Sequence, residues 1–190
     1  SNVANFRKGD LITALPSTGC GHCEACYRGN LALCHNAPGV MGGYAELMRI
    51  PTSVAIKLPS TLSLADGALI EPLAVGLQGT RLSQIQPGDR VLVLGAGSVA
   101  LCVIYWARRL GAGRIVALSR SQRRAAMAVD MGADAFVQYG DNEIGEVVEA
   151  LGGQPDIVFE CVGNPGFLAK GIQHARDFGQ VLSLGFCTLP

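Results

Sequence analysis

Four cysteines, Cys20, Cys23, Cys26 and Cys34, stand close together in the spacing C-x2-C-x2-C-x7-C. Glycines before and between them (Gly19, Gly21, Gly29) let the chain fold back, so that four thiolates can surround one Zn²⁺ at about 2.3 Å. A tight cluster of this kind reads as a metal site rather than as a disulfide framework. An iron-sulfur cluster is the rival reading, because C-x2-C-x2-C opens the bacterial ferredoxin pattern, although that pattern continues with x3-Cys-Pro. Cysteine at all four positions leaves no coordination site open to a substrate, so the expected zinc is structural. His22 reads as a solvated loop residue, and Cys102, Cys161 and Cys187 are scattered.

The second stretch with chemical meaning is Val91-Leu92-Val93-Leu94-Gly95-Ala96-Gly97-Ser98-Val99-Ala100. A β-prone run, a G-x-G turn and a helical continuation predict a strand-turn-helix whose helix N-terminus can face a pyrophosphate. Gly95, Gly97 and Ser98 are its candidate cofactor-binding residues. Alone, the G-x-G-x-x-A pattern is a weak signal, and its weight comes from the elements around it.

Those elements change character along the chain. Phe6-Arg7-Lys8-Gly9-Asp10-Leu11-Ile12 predicts a turn feeding a strand, Gly42-Gly43-Tyr44-Ala45-Glu46-Leu47-Met48 a turn and strand, and Ala55-Ile56-Lys57-Leu58 another strand. No helical period is found before residue 62. Ser63 is placed to cap a helix over 64–69, which Glu71-Pro72 interrupts before a second helix from Leu73. From residue 85 the pattern alternates. Strands are predicted at 91–94, 115–118, 135–137, 156–161 and 181–184, with helices at 98–110, 121–131, 142–151 and 166–177. That rhythm marks a doubly wound parallel α/β sheet.

The 190 residues, 49% of them hydrophobic, can bury a core, and fifteen basic residues balance fifteen acidic ones. Zero net charge argues against nucleic-acid binding. No signal-peptide pattern or membrane-length apolar run is found, and a soluble, cytoplasmic protein with no membrane partner is expected.

With the cysteine lobe, Gly42-Gly43-Tyr44-Ala45-Glu46, Glu71-Pro72-Leu73-Ala74-Val75 and the Gly95 turn in this order, the chain resembles the zinc-containing medium-chain alcohol dehydrogenases, most closely their polyol, threonine and glucose dehydrogenase branch. The resemblance implies an all-β GroES-like catalytic domain with its zinc lobe (1–72, lobe 19–35), followed by an NADP-binding Rossmann domain (73–190). It also implies that both are partial: a Cys and a Gly-His-Glu segment would precede Ser1, and a last sheet strand would follow Pro190. Glu71 matches the third catalytic-zinc ligand position, with the other ligands absent, so a catalytic zinc is expected only in the intact enzyme. Val99 resembles the residue that packs on the nicotinamide ring, and the backbone around Cys161, Val162, Leu184 and Phe186 the edge that binds its carboxamide. Ordinary core packing at strand ends explains these apolar positions equally well.

NAD-binding members carry an acidic residue about twenty residues beyond the glycines, where it holds the ribose hydroxyls. Here that position is Ser119, followed by Arg120-Ser121-Gln122-Arg123-Arg124. A 2′-phosphate would be repelled by a carboxylate but held by the Ser119 hydroxyl and the guanidinium groups of Arg120 and Arg124. NADP(H) is therefore favoured over NAD(H), the alternative being that these arginines are a solvated helix start. The expected function is hydride transfer between an alcohol or polyol and NADP(H) by a homo-oligomeric oxidoreductase, with this piece inactive by itself. A non-catalytic nicotinamide-nucleotide-binding or sensor protein with a structural zinc lobe is the alternative.

Overall fold

A computed structural model describes residue 3, residues 5–37 and residues 42–186. Cys187 and residues 39–41 of the glycine-rich stretch lie outside the described residues. The chain divides into two compact units, Ser1–Glu71 and Pro72–Pro190.

In the first unit, β1 (Ile12–Ala14) pairs antiparallel with β2 (Ala55–Lys57), Thr13 opposite Ile56. The pairing extends one bond each way, through Leu15 N–H to Val54 O (3.0 Å) and Leu58 N–H to Leu11 O (2.9 Å). Asp10 closes the preceding turn by accepting the Arg7 N–H at 2.7 Å and pairs with Lys57 across the ribbon. The expected strand at Tyr44–Met48 does not form: these residues run as bends and irregular chain, with Tyr44 and Leu47 exposed. Local β propensity makes a strand only where a partner supplies the ladder bonds, and among the described residues none pairs with this stretch. The cysteine lobe does contain helix, a single turn α1 (Glu24–Tyr27) and a 3-10 turn at Leu31–Leu33, too short to show a helical period.

A long helix, α2 (Leu64–Leu82), runs through the boundary between the units. Its start is a capping box: Asp66 N–H donates to Ser63 Oγ (3.2 Å), and Ser63 N–H donates back to Asp66 Oδ2 (2.8 Å). The expected break at Glu71-Pro72 is absent. Proline costs an interior helix about 3 kcal/mol, which here is offset by the capped start and by packing of the second half. Trp106 Nε1 donates to Leu73 O at 2.9 Å, and Gly76 lies directly against the next helix. Glu71 consequently sits in a helix interior, exposed, and not at a helix start where the dipole would favour it.

The second unit is a five-stranded parallel sheet of β3 (Arg90–Leu94), β4 (Arg114–Ser119), β5 (Ala135–Gln138), β6 (Ile157–Glu160) and β7 (Gln180–Ser183), in the order β5-β4-β3-β6-β7. Helices α3 (Ser98–Arg109), α4 (Ala125–Asp130), α5 (Glu143–Leu151) and α6 (Pro165–His174) connect them. Alternate strand residues face opposite sides. Val91, Val93, Ile115, Ala117 and Phe159 pack with α3 and α4 residues such as Val103, Ile104 and Ala128. Leu92, Leu94, Val116, Leu118 and Val158 pack with Val147 and Leu151 of α5 and Phe167 of α6. Both faces are therefore covered, which is why the strands read as continuous apolar runs. The chain winds outward from β3 through β4 to β5, then returns to lay β6 on the other side of β3. Crevices open at such a reversal, beyond the carboxyl ends of the strands.

The fold generates two predictions. A Cβ added at Gly76 would lie 2.8 Å from Cys102 Cβ and 2.9 Å from the Cys102 carbonyl carbon. Backbone cannot swing aside, so overpacking of about 1–3 kcal/mol outweighs the roughly 1 kcal/mol helix gain of alanine. Thermal melting should show Gly76→Ala less stable than the parent.

His174 is 2% exposed, and neither ring nitrogen has a hydrogen-bond partner. Burial pushes its pKa below the ordinary value; Glu143 opposes that shift and Lys170 adds to it. The unfolded chain takes up this proton as pH falls through about 6.5 while the folded chain resists, so stability drops below that pH. Melting temperatures at pH 7.5 and 5.5 should differ more for the parent than for His174→Leu. Equal differences would remove His174 as the cause.

Candidate metal and nucleotide sites

The four cysteines of the lobe converge, their Sγ atoms all lying within 4.8 Å of one another. Cys20 Sγ is 4.0 Å from Cys26 Sγ, and Cys23 Sγ is 3.8 Å from Cys34 Sγ. A tetrahedron with Zn–S bonds of about 2.3 Å has edges of about 3.8 Å, so the set is sized for one zinc ion. None of the four is in a disulfide. Gly19 passes so close that a Cβ there would come within 2.5 Å of Cys26 Sγ.

Crowding of the thiols is visible in their acidities. The Cys20 thiol is drawn down to about 6, first by the His22 backbone N–H. Cys23 is pushed up to about 11: the Cys26 backbone N–H lowers it, but the Cys26 thiol, burial and the Cys20 and Cys34 thiols together raise it more. A divalent cation is the group that would let all four ionise together. The Cys20 N–H pointing at Cys34 Sγ, 3.3 Å away, would steady that sulfur. His22 is turned elsewhere, its Nδ1 pairing with Cys20 O at 2.8 Å.

The glycine turn sits where the sheet order reverses. Gly95 leaves β3 with φ +112°, a conformation that disfavours any side chain, and its N–H donates to Leu118 O at 2.7 Å. Cys161 N–H donates to Leu94 O at 3.0 Å, so the turn is clamped between β4 and β6. Gly97 caps α3 and offers no side-chain acceptor, leaving the N–H groups of the first helical turn for an anion. Ser98 and Val99 form that turn, and Val99 packs on the core behind it.

Two cavities flank the turn. One of about 270 Å³ is lined by Ala96, Gly97, Ser119, Ser121, Arg123 and Arg124. Here Ser121 Oγ accepts the Arg123 N–H (3.2 Å) and begins a 3-10 turn, which replaces the first turn of the helix expected at 121–131. Arg124 Nη1 donates to Ala96 O at 2.9 Å, fixing the guanidinium against the glycine turn, and among the described residues its other N–H groups are unspent. The other cavity, about 250 Å³, brings Ser119 and Arg120 together with Gly95, Cys161, Val162 and Phe167. Leu184 and Cys161 pack on the core, whereas Val162 and Phe186 are exposed. The Cys161 thiol is pushed up, mainly by burial and then by the Glu160 carboxylate.

Glu160 and Arg123 are not among the residues that the motifs single out. Arg123 was hidden in a basic run that any solvated helix start could carry. Glu160 left a readable sign, a charge closing the apolar strand Ile157-Val158-Phe159 and followed by Cys-Val-Gly. Among the described residues, the four cysteines are the one His/Cys/Asp/Glu group that could hold a metal, and Glu71 belongs to none. No helix of the described residues is long and apolar enough to cross a membrane.

Residues 98–190 match the family model for zinc-binding dehydrogenases, and residues 1–60 match that for the alcohol dehydrogenase GroES-like domain. The chain belongs to the zinc-containing medium-chain alcohol dehydrogenase family. Among the curated members of this family, it is 31% identical to L-idonate 5-dehydrogenase of Vitis vinifera (97% of this chain, 54% of that protein) and 32% identical to sorbitol dehydrogenase of Arabidopsis thaliana (96% and 53%). The chain thus spans about half the length of the curated relatives it matches. Alcohol dehydrogenase TADH from Thermus sp. ATN1 superposes with a TM-score of 0.85 at 30% identity, covering 97% of this chain and 59% of that one. A structure from Sinorhizobium meliloti 1021, described as a zinc-binding dehydrogenase bound to NADP, gives 0.84 at 33% identity, over 97% and 56%.

For this member of the family, the lobe geometry predicts about one zinc per chain in the purified, colourless protein, with four thiolate ligands. Elemental analysis and visible absorption check this. Cys34→Ser should lose most of the metal, while a brown protein with iron and sulfide would replace zinc by an iron-sulfur cluster.

Proposed function

We propose that this chain is the zinc-lobe and nucleotide-binding portion of a zinc-dependent, homo-oligomeric oxidoreductase that passes hydride between an alcohol or polyol and NADP(H). The carrying observation is the cavity at the end of β4, where Ser119 stands in place of a carboxylate and Arg123 and Arg124 share the lining. Polyol specificity is supported by the sorbitol and L-idonate dehydrogenases among the relatives, and NADP(H) by the neighbour solved with NADP. Assembly into oligomers is supported by the exposed apolar side chains of Ile172 and Phe178.

In this reading the N–H groups of the first turn of α3, behind Gly97 and Ser98, hold the pyrophosphate. Ser119, Arg123 and Arg124 grip the 2′-phosphate of the adenosine ribose, Arg124 already oriented by its bond to Ala96 O. Arg120, in the neighbouring cavity, adds positive charge. Val99, Cys161 and Val162 form the wall at the nicotinamide end, and the backbone near Leu184 and Phe186 supplies polar groups for the carboxamide. Bound, the nicotinamide supplies the hydride acceptor, and a catalytic zinc with Glu71 at its third ligand position supplies Lewis acidity in the whole enzyme. The 190-residue chain by itself binds cofactor without turnover.

Fluorescence titration should show NADPH bound more tightly than NADH. Arg123→Ala should weaken NADPH by about tenfold or more, as expected for loss of a charge-assisted phosphate contact, and leave NADH little changed. Equal affinities for the two in the parent chain would overturn the NADP(H) assignment.

A second reading is a non-catalytic nicotinamide-nucleotide-binding or sensor protein with the same zinc lobe, since the lobe and the glycine turn would serve binding alone equally well. Alcohol oxidation by the whole protein separates the two.

A further inference from the structure

Glu160, the last residue of β6, has no exposed surface. Its Oε1 accepts the N–H groups of Val162 (2.6 Å) and Gly163 (2.8 Å), and its Oε2 accepts the Ser183 hydroxyl (3.0 Å). Its own carbonyl accepts the N–H groups of Leu184 (2.8 Å) and Gly185 (3.1 Å). One residue thus ties together the two segments, 161–163 and 183–185, that run beyond the carboxyl ends of β6 and β7. The fit is close: a Cβ at Gly185 would come within 2.1 Å of Gly163 N and 2.7 Å of Glu160 Oε2.

Accepting at both oxygens and donating from neither is the pattern of an ionised carboxylate. Among the described residues, no lysine, arginine or histidine forms an ion pair with it. Asp156, at the other end of β6, is the contrast, held between Arg90 and Arg176. Neutral dipoles solvate the Glu160 charge without cancelling it, and in a low-dielectric setting an uncancelled charge reaches further than at the surface. Its neighbour Cys161 registers that field: after burial, the Glu160 charge is what pushes the thiol up. Cys161 and Val162 line the crevice over Gly95.

We propose that Glu160 biases the site toward the oxidised cofactor, its buried negative charge favouring the cationic nicotinamide ring of NADP⁺ over the neutral ring of NADPH. The inference rests on the nucleotide-binding reading above and adds to it. A charge-neutral residue holding the same two loops would position both cofactor forms alike. Glu160 therefore acts through position and field rather than by touching the reacting atoms.

The test is a titration of NADP⁺ and NADPH against the 190-residue chain and two variants, followed by protein fluorescence and calorimetry. Glu160→Gln removes the charge and keeps most of the shape. Ser183→Lys, at an exposed position, sets a cation beside Oε2 and leaves the main-chain bonds to Glu160 in place. In either variant the ratio of NADP⁺ to NADPH affinity should fall by about fivefold or more. The extra lysine of Ser183→Lys acts equally on the phosphates that both forms share, so the ratio remains the readout even if Glu160→Gln does not fold. Equal weakening of the two forms, or no change in either variant, overturns the proposal. Failure of the parent chain to bind either form refutes the nucleotide-binding reading instead.

Discussion

The backbone at Gly95 is the constraint on which the nucleotide site depends. The central strand β3 is buried on both faces and hydrogen-bonded on both sides, so its end has a fixed place in the unit. At that end the chain must turn at once into α3 without blocking the space above. Gly95 does so at φ +112°, with Val162 Cγ2 only 3.3 Å from where a Cβ would be. A side chain here would be strained by the backbone and would press on the residue lining the crevice. The helix N-terminus therefore points where it does because the sheet places it there, and its aim does not rely on a mobile loop.

Electrostatic features follow from the same geometry. Strands β4 and β6 flank β3, so their carboxyl ends define the two sides of the crevice. The β4 side is basic, with Arg123 and Arg124 following Ser119 and one guanidinium tied to the turn through Ala96 O. The β6 side carries Glu160, buried and solvated by main-chain N–H groups. A dinucleotide is anionic at its phosphates and, when oxidised, cationic at its ring, so this polarity complements its two ends. His174, on α6, shows what happens to a buried polar group without such provision: both nitrogens lack a partner, and the ring is held neutral at a cost that grows in acid.

The parallel unit was legible in the sequence because its signals are local and redundant. The strands from Arg90–Leu94 to Gln180–Ser183 are short apolar-rich runs, and a helix fills each stretch between them, the alternation that marks a parallel sheet. The cysteine cluster was legible for another reason, since ligand spacing encodes its closure directly. Two readings failed where the outcome is decided by distant partners. Tyr44–Met48 has strand composition but no strand to pair with among the described residues. Pro72 has the local chemistry of a helix breaker, yet contacts made by Leu73 and Gly76 with α3 carry the helix past it. Glu160 was missed for the same kind of reason. Its importance lies in Val162, Gly163 and Ser183 arriving around it, and Ser183 reaches it only through the sheet register of β6 with β7.

The lobe and the sheet also reach order by different physical routes. In the parallel unit, paired strands and two apolar clusters supply cooperative burial. In the lobe, neither α1 nor the following 3-10 turn has a buried residue, and Tyr27 and Leu33 are exposed. Among the described residues, Cys34 and Thr18 are the buried ones around it, too little apolar surface to fix the path of a loop. What brings Cys20 back to Cys34 is convergence of sulfurs, with the Cys20 N–H directed at the Cys34 sulfur. On the zinc reading, the metal substitutes for a core: its bonds to four thiolates provide the folding free energy that burial cannot. That is why side chains between the ligands, even the apolar Tyr27 and Leu33, can stay exposed while the loop keeps its path.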